Sequence, residues 1–344
     1  MKEKRISRKR RRQIVLLRNV SLTLALILVL GIILIRVVFI NGRTLDVSAG
    51  YRIEVHNGAA ELSEFRLASA EGFAQSLVAC EDEVGKDLVK LSNETEKKLL
   101  FNIDQQEAVC AEGIYERIYP ASLTKIMTAL LCLESGDLER NVVMTEEDFN
   151  LGDGAQVSQL DVGDSVSLGD LLNLVLVYSS NDASKAVART VGGSVDNFVN
   201  MMNQKAQSLG MTGTHFANPH GLHEENHYTT LYDIYLMMNY AYKLPGFSEA
   251  ASKSSTEIHV SPSDGNPYTF IANSTDEYFT GIYSLPQNVT VLASKTGTTD
   301  EAGSCLSLVV QSNYGVKYIA VVTGAQNKED LYTDMSAVLN LINT

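Results

Sequence analysis

Residues 289–322 read VTVLASKTGTTDEAGSCLSLVVQSNYGVKYIAVV. Three short apolar runs stand out, Val289–Ala293, Leu306–Val310 and Tyr318–Val322, and each is of strand length. The last two flank Ser312-Asn313-Tyr314-Gly315, a turn-rich link of the kind that joins hairpin strands. The pattern predicts an antiparallel meander. The first run leads into Lys295-Thr296-Gly297, which places that tripeptide at a strand end. Working outward, 330–342 closes the chain as an amphipathic helix. Four helical patterns precede the meander: 122–134, with Pro120 ahead of it as a start signal, then 168–177, 196–209 and 231–242. Helices in the middle and a meander near the end predict an α+β class, with an antiparallel sheet flanked by helices, over an alternating βαβ series. The stretch 102–118 is the least strand-like part of the expected sheet.

The 344 residues carry a formal charge of −13, and 45% of them are hydrophobic, the profile of a folded chain. Four Cys rule out a disulfide-built scaffold, and an acidic total argues against a nucleic-acid partner. That total is uneven. Residues 1–43 hold eleven basic side chains and one acid, a net of +10, which leaves −23 on 44–344. Behind this basic tail (1–18), an almost unbroken Leu/Ile/Val run from Val20 to Ile40 is long enough, at about 1.5 Å per residue, to cross a bilayer's hydrocarbon core of about 30 Å. The expectation is a transmembrane helix over 19–41 with the basic flank in the cytoplasm, a spacer over 42–97, and an extracytoplasmic domain over 98–344. A short amphipathic helix around Leu88, Val89 and Leu91 would interrupt the spacer. The competing signal-peptide reading has a small-x-small site at Val47-Ser48-Ala49, but the apolar run is too long and the site too distant.

Three short motifs carry chemistry. In Ser122-Leu123-Thr124-Lys125, helical spacing puts the Lys125 amine beside the Ser122 hydroxyl. Serine is a weak nucleophile until a base takes its proton, and lysine serves as that base only when burial or another cation lowers its pKa. Ser122 also falls at a helix start, where backbone N–H groups favour negative charge. Ser179-Ser180-Asn181 puts a hydroxyl and an amide on one loop after an apolar helix. Lys295-Thr296-Gly297 suits a carboxylate, its glycine admits a peptide-like ligand to the strand, and the Thr298 N–H pairs with that of Ser122 as an oxyanion hole. Alone, each has a plain structural reading: a helix cap, helix-end chemistry and a strand terminus.

In this order the three are the elements of the penicillin-recognising serine acyl transferases. The surrounding text, YPASLTKIMTALL at 119–131, NPHGL at 218–222 and SKTGTTDEAGSCL at 294–306, resembles the D-alanyl-D-alanine carboxypeptidases among the low-molecular-mass penicillin-binding proteins. The resemblance covers about 98–344 and implies a β-lactamase/transpeptidase-like fold with a helical subdomain. It implies Ser122 as the acylated nucleophile, Lys125 as its proton acceptor and Ser179 as the proton relay to the leaving D-alanine. It also implies Asn181 as holder of the substrate amide, and Lys295 and Thr296 as ligands of the terminal carboxylate. The implied partners are peptidoglycan stem peptides ending in D-alanyl-D-alanine and β-lactams, with no cofactor and no metal. A D,D-endopeptidase, or a tethered penicillin or peptidoglycan sensor that acylates once, are the alternatives. Many relatives carry a further β-rich domain and a C-terminal anchor. About 20 residues after the last strand leave room for neither, so the N-terminal helix is expected to tether the protein.

Two rival chemistries are weaker. A class A β-lactamase needs a carboxylate for its deacylating water. Here Ser180 fills the middle of the second motif, and 197–223 contains no acid. His223-Glu224-Glu225-Asn226-His227 matches His-Glu-x-x-His, but it follows a Pro-His-Gly turn and lacks an apolar helical stripe, so a loop is expected. His220 reads as a hydrogen-bonded turn residue. Cys132 and Cys305 read as core thiols, and a Cys80–Cys110 pairing stays open.

Overall fold

The computed structural model describes residues 80–343 except Asp153 and Asn288. The basic tail, the expected membrane-spanning helix and the spacer up to residue 79 lie outside the described residues. Among the described residues no helix is long and apolar enough to cross a membrane.

The meander forms as three long strands, β7 (Val289–Thr299), β8 (Gly303–Ser312) and β9 (Lys317–Ala325), preceded in the chain by β1 (Lys97–Asn102) and β2 (Glu107–Glu112). They make one antiparallel sheet in the order β2-β1-β9-β8-β7. β7 is longer than its apolar run suggests, so Lys295-Thr296-Gly297 lies inside the strand and not at its end. Both faces of the sheet are covered. Leu99, Phe101, Val309, Ile319 and Val321 face a helical layer, while Leu100, Leu308, Val310, Ala320 and Val322 face the C-terminal helix. Burial on both faces is why β8 and β9 read as continuous apolar runs and show no alternation.

The helical layer comprises α1 (Lys125–Ser135), α2 (Glu146–Phe149), α3 (Leu168–Asn173), α4 (Asn181–Gly192), α5 (Val195–Ser208), α6 (Leu231–Ala241) and α7 (Phe247–Ala251). α8 (Lys328–Asn340) covers the other face. Every side chain of α1 from Lys125 to Cys132 is buried, as befits a helix apolar all round at the centre of the core. Two minor two-stranded sheets, β3 (Asn141–Val143) with β4 (Ser165–Ser167) and β5 (Ser255–Val260) with β6 (Tyr268–Asn273), were not legible in the sequence. α4 was missed as well, because its first turn reads as the polar tail of a loop.

Residues 80–97, which the sequence assigns to the spacer, pack onto the sheet. Val89 is in the core, Val84 bridges to Ala111, and Ser92 donates to the Asp334 carboxylate through both N–H (2.9 Å) and Oγ (3.0 Å). In place of the expected amphipathic helix there is a single 3-10 turn at Lys86–Leu88. All four cysteines are free, and Cys132 and Cys305 are buried as expected.

Candidate active site

The nucleophile turn is the first piece. A 3-10 turn, Ala121–Thr124, leads directly into α1, with Ala121 held at φ 46°. Such a backbone is costly for a residue with a Cβ and persists only where its surroundings enforce it. They do so here. A Cβ on Gly221 would lie 1.9 Å from the Ala121 carbonyl oxygen, and one on Gly297 would lie 2.9 Å from the Ser122 nitrogen. The glycine of Lys-Thr-Gly was expected to admit a ligand. The group that approaches it is the nucleophile's own backbone.

Lys125 is wholly buried, and its Nζ donates to three neutral oxygens: Ser122 Oγ (2.8 Å), Asn181 Oδ1 (2.6 Å) and the His220 carbonyl (2.7 Å). Burial holds its pKa well below that of a free lysine. The charge of Lys295 lowers it further, against a smaller opposing pull from Asp182. The helical spacing expected from the sequence therefore delivers the amine to the hydroxyl.

The second piece comes from a π-helical turn, Leu174–Tyr178, that extends α3 and ends on Ser179 at φ 65°. A π turn shifts the register of the residues after it, and such turns gather at functional sites. Here it sends Ser179 and Asn181 to opposite lysines. Ser179 Oγ accepts from Lys295 Nζ (3.0 Å), and Asn181 accepts from Lys125. The middle serine, Ser180, is fully buried and donates to Asp182 instead. Asp182 also accepts from the Ser158 N–H (3.0 Å), which ties the loop over the site to α4.

The third piece is β7, the sheet's edge strand at the cleft. Lys295 is 1% exposed, and burial pushes its pKa down to about 7 against the attraction of Asp276. Asp276 is buried too, and accepts from Ser294 Oγ, the Tyr278 N–H (2.9 Å) and the Tyr332 hydroxyl (3.0 Å). Thr296 Oγ1 meets Thr275 Oγ1 at 2.6 Å, and Thr298 lies exposed two residues on.

Ser122, Ser179, Asn181, Thr296 and Thr298 line one cleft of about 260 Å³, with Lys125 and Lys295 immediately behind its serines. The cleft and its wall therefore bring together all seven residues that the sequence singled out. Sequence reasoning missed Asp182, Asp276 and Thr275, which belong to no spaced motif and reach the site only through the fold. Among the described residues that line the cleft none is acidic. His223 and His227 do not converge. His223 packs edge-on to Tyr119, whereas His227 is 2% exposed and bonded to Thr124. Among the described residues no group of three potential ligands could hold a metal. His220 is the expected turn histidine, with Nδ1 accepting from the Leu222 N–H (3.2 Å).

The D-alanyl-D-alanine carboxypeptidase family model matches residues 89–327, and so includes all three motifs. The chain belongs to that family. Among curated members it is 30% identical over 273 residues to D-alanyl-D-alanine carboxypeptidase DacF of Bacillus subtilis, covering 78% of this chain and 66% of the relative. It is 31% identical over 190 residues to the D-alanyl-D-alanine endopeptidase of Pseudomonas aeruginosa, covering 54% of this chain and 57% of that one. The chain spans about half to two thirds of the length of the first curated relatives it matches. Of solved structures, a Streptomyces DD-transpeptidase superposes on 73% of this chain and 98% of its own with a TM-score of 0.67 at 24% identity. This likeness supports the fold: family members share the mixed helical and antiparallel architecture.

Proposed function

We propose that this family member is a serine D,D-carboxypeptidase that removes the terminal D-alanine from peptidoglycan stem peptides. The observation that carries the reading is the buried Lys125 amine, 2.8 Å from Ser122 Oγ, ringed by neutral oxygens and weakened as an acid-base pair toward its neutral form. Neutral Lys125 takes the Ser122 proton as Oγ attacks the carbonyl carbon of the penultimate D-alanine. The N–H groups of Ser122 and Thr298 receive the developing oxyanion. When the C–N bond breaks, Ser179, fed by Lys295, passes a proton to the leaving amine, and the proton that Lys125 took from Ser122 makes good that loss, so Lys125 is neutral again when water enters. Asn181 holds the substrate amide, and Lys295, Thr296 and Thr298 hold the terminal carboxylate. Water then hydrolyses the acyl-enzyme. A β-lactam opens at the same serine and is held there as an acyl-enzyme, its leaving nitrogen still tethered to the acyl group.

The test is direct. Labelled penicillin should mark the protein at Ser122, Ser122→Ala should not be marked, and a peptide ending in D-alanyl-D-alanine should lose one D-alanine. Covalent labelling of Ser122→Ala would overturn the assignment, and labelling without release of D-alanine would favour a sensor. The endopeptidase relative keeps a second outcome in view, cleavage of a cross-linked dimer, which product analysis separates. We further propose that residues 20–40 tether this domain outside the cytoplasm. Their apolar length and the +10 flank support that reading, and recovery of the full chain in a carbonate-washed supernatant would refute it.

A further inference from the structure

His227 ends the sequence match to a metal motif, yet its ring is part of a different device. Its Nδ1 accepts the Ala217 N–H at 3.0 Å, so that nitrogen carries no proton. Burial first, then the neighbouring His215, His223 and Lys125, push its pKa down to about 3, which leaves the ring neutral at any physiological pH. The remaining proton must therefore sit on Nε2, which lies 2.7 Å from Thr124 Oγ1. That hydroxyl receives the Nε2 proton and directs its own to the Ala121 carbonyl oxygen, 2.8 Å away. The order of donors is fixed along the whole chain: His227 to Thr124 to Ala121.

The carbonyl at its end is part of the peptide unit whose other end is the Ser122 N–H. A trans peptide is planar, so the direction of the oxygen dictates the direction of the hydrogen. Gly221 presses on the same oxygen from another side, and Gly297 closes on the Ser122 nitrogen. Ala121 at φ 46° would relax from this geometry if it were released. A hydrogen bond to the carbonyl also polarises the peptide and strengthens the N–H as a donor.

We propose that Thr124 and His227 are positioning residues that aim and strengthen the Ser122 N–H of the oxyanion hole. They touch neither the substrate nor Ser122 Oγ. The proposal rests on the reading of Ser122 as nucleophile, and the experiment separates the two. Rapid-mixing kinetics with a chromogenic β-lactam resolve noncovalent binding from the acylation step. Thr124→Val keeps the shape and removes the relay hydroxyl, whereas Thr124→Ser restores it. The expected result is an acylation constant at least about tenfold lower in Thr124→Val, a fraction of the cost of losing a whole oxyanion donor. Noncovalent Kd should stay within about twofold, and Thr124→Ser should recover most of the loss. Assays run well below each variant's thermal midpoint remove unfolding as a cause. Acylation within twofold of the parent in Thr124→Val overturns the relay, as does equal slowing in Thr124→Ser, or a loss that falls on Kd. If the parent itself fails to acylate at Ser122, the reading of the site falls first and the relay with it.

Discussion

Lys98, at the β1–β2 edge of the sheet, and Lys125 and Lys295, at the cleft, are all exposed to 1% or less, yet they are surrounded differently. Lys98 donates to the Lys86 carbonyl (2.9 Å), the Val89 carbonyl (2.6 Å) and the Glu112 carboxylate (2.5 Å). Its charge is matched by a charge, and two carbonyls complete its shell. The hydrogen bonds of Lys125 and Lys295 go only to serine hydroxyls, one amide and backbone carbonyls, and both pKa values fall. Lys125 and Lys295 are buried without a carboxylate at contact. Burial among neutral acceptors makes each a base, because the charged form loses water and gains no counter-ion at contact.

That comparison can be broken at each lysine. The largest effect is expected at Lys125. Lys125→Arg keeps a long basic side chain but cannot surrender its proton, so β-lactam acylation should slow by about 10³-fold, the middle of the range for loss of a general base. A loss under about tenfold, measured by stopped flow, would show that the amine is not the proton acceptor.

At Lys295 the effect splits between activity and stability. Lys295→Met should reduce kcat/KM for a free-carboxylate peptide by about 10²-fold, in line with loss of one charge-assisted contact and a proton relay. It should also stabilise the protein. With a folded pKa near 7 and an unfolded value of 10.5, both states are protonated below pH 7, and the buried charge costs its full amount there. Between pH 7 and 10.5 the unfolded chain binds the extra proton, so stability of the parent rises with pH across that window. Lys295→Met should therefore gain most at pH 6, up to about 5 kcal/mol less any stabilisation Asp276 forfeits, and almost nothing at pH 10.5. Thermal melts over pH 6–10 check this, and a gain that grows with pH would contradict it. The activity has the opposite sense. Protonated Lys295 binds the carboxylate, so kcat/KM for the acid peptide should fall as pH rises through about 7, and the fall should be shallower for an amidated peptide, which keeps only the dependence on the Lys295–Ser179 proton relay.

The smallest effect on chemistry belongs to Lys98. Lys98→Met leaves two carbonyls and a half-exposed carboxylate without their donor. It should cost about 2–3 kcal/mol in chemical denaturation while acylation stays within about twofold. A tenfold slower acylation would link the sheet edge to the cleft and undo the contrast.

How far these differences could be read from sequence depends on range. The Ser122–Lys125 contact is written in helical spacing, and the order of the three motifs points to a shared cleft. The apolar runs of the meander located β7, β8 and β9, though the length of β7 escaped because Lys295, Thr296 and Thr298 interrupt its apolar texture while remaining in the ladder. Asp276 beneath Lys295 and His227 above Thr124 have no local signature, since each meets its partner by long-range packing, whereas Asp182 lies only two residues from Ser180 but in the first turn of α4, which reads as a loop. β1 was hidden by Lys98 itself. A lysine at its second position reads as solvent-facing until Glu112 is seen across the β1–β2 pair.

The position of β9 has a consequence for how the domain comes into being. It lies between β1 and β8, pairing Leu99 with Val321 and Leu308 with Ala320. The N-terminal hairpin therefore has no neighbour to join until residues 317–325 exist, and its loop closure spans more than two hundred residues. During synthesis the helical layer and the β1–β2 hairpin must wait with apolar faces open. Pairing of β9 with β1 joins the two ends of the fold into one sheet with the strand that presents Lys295 to Ser179. Completion of the sheet that carries Lys295 is thus tied to residues near the end of the chain.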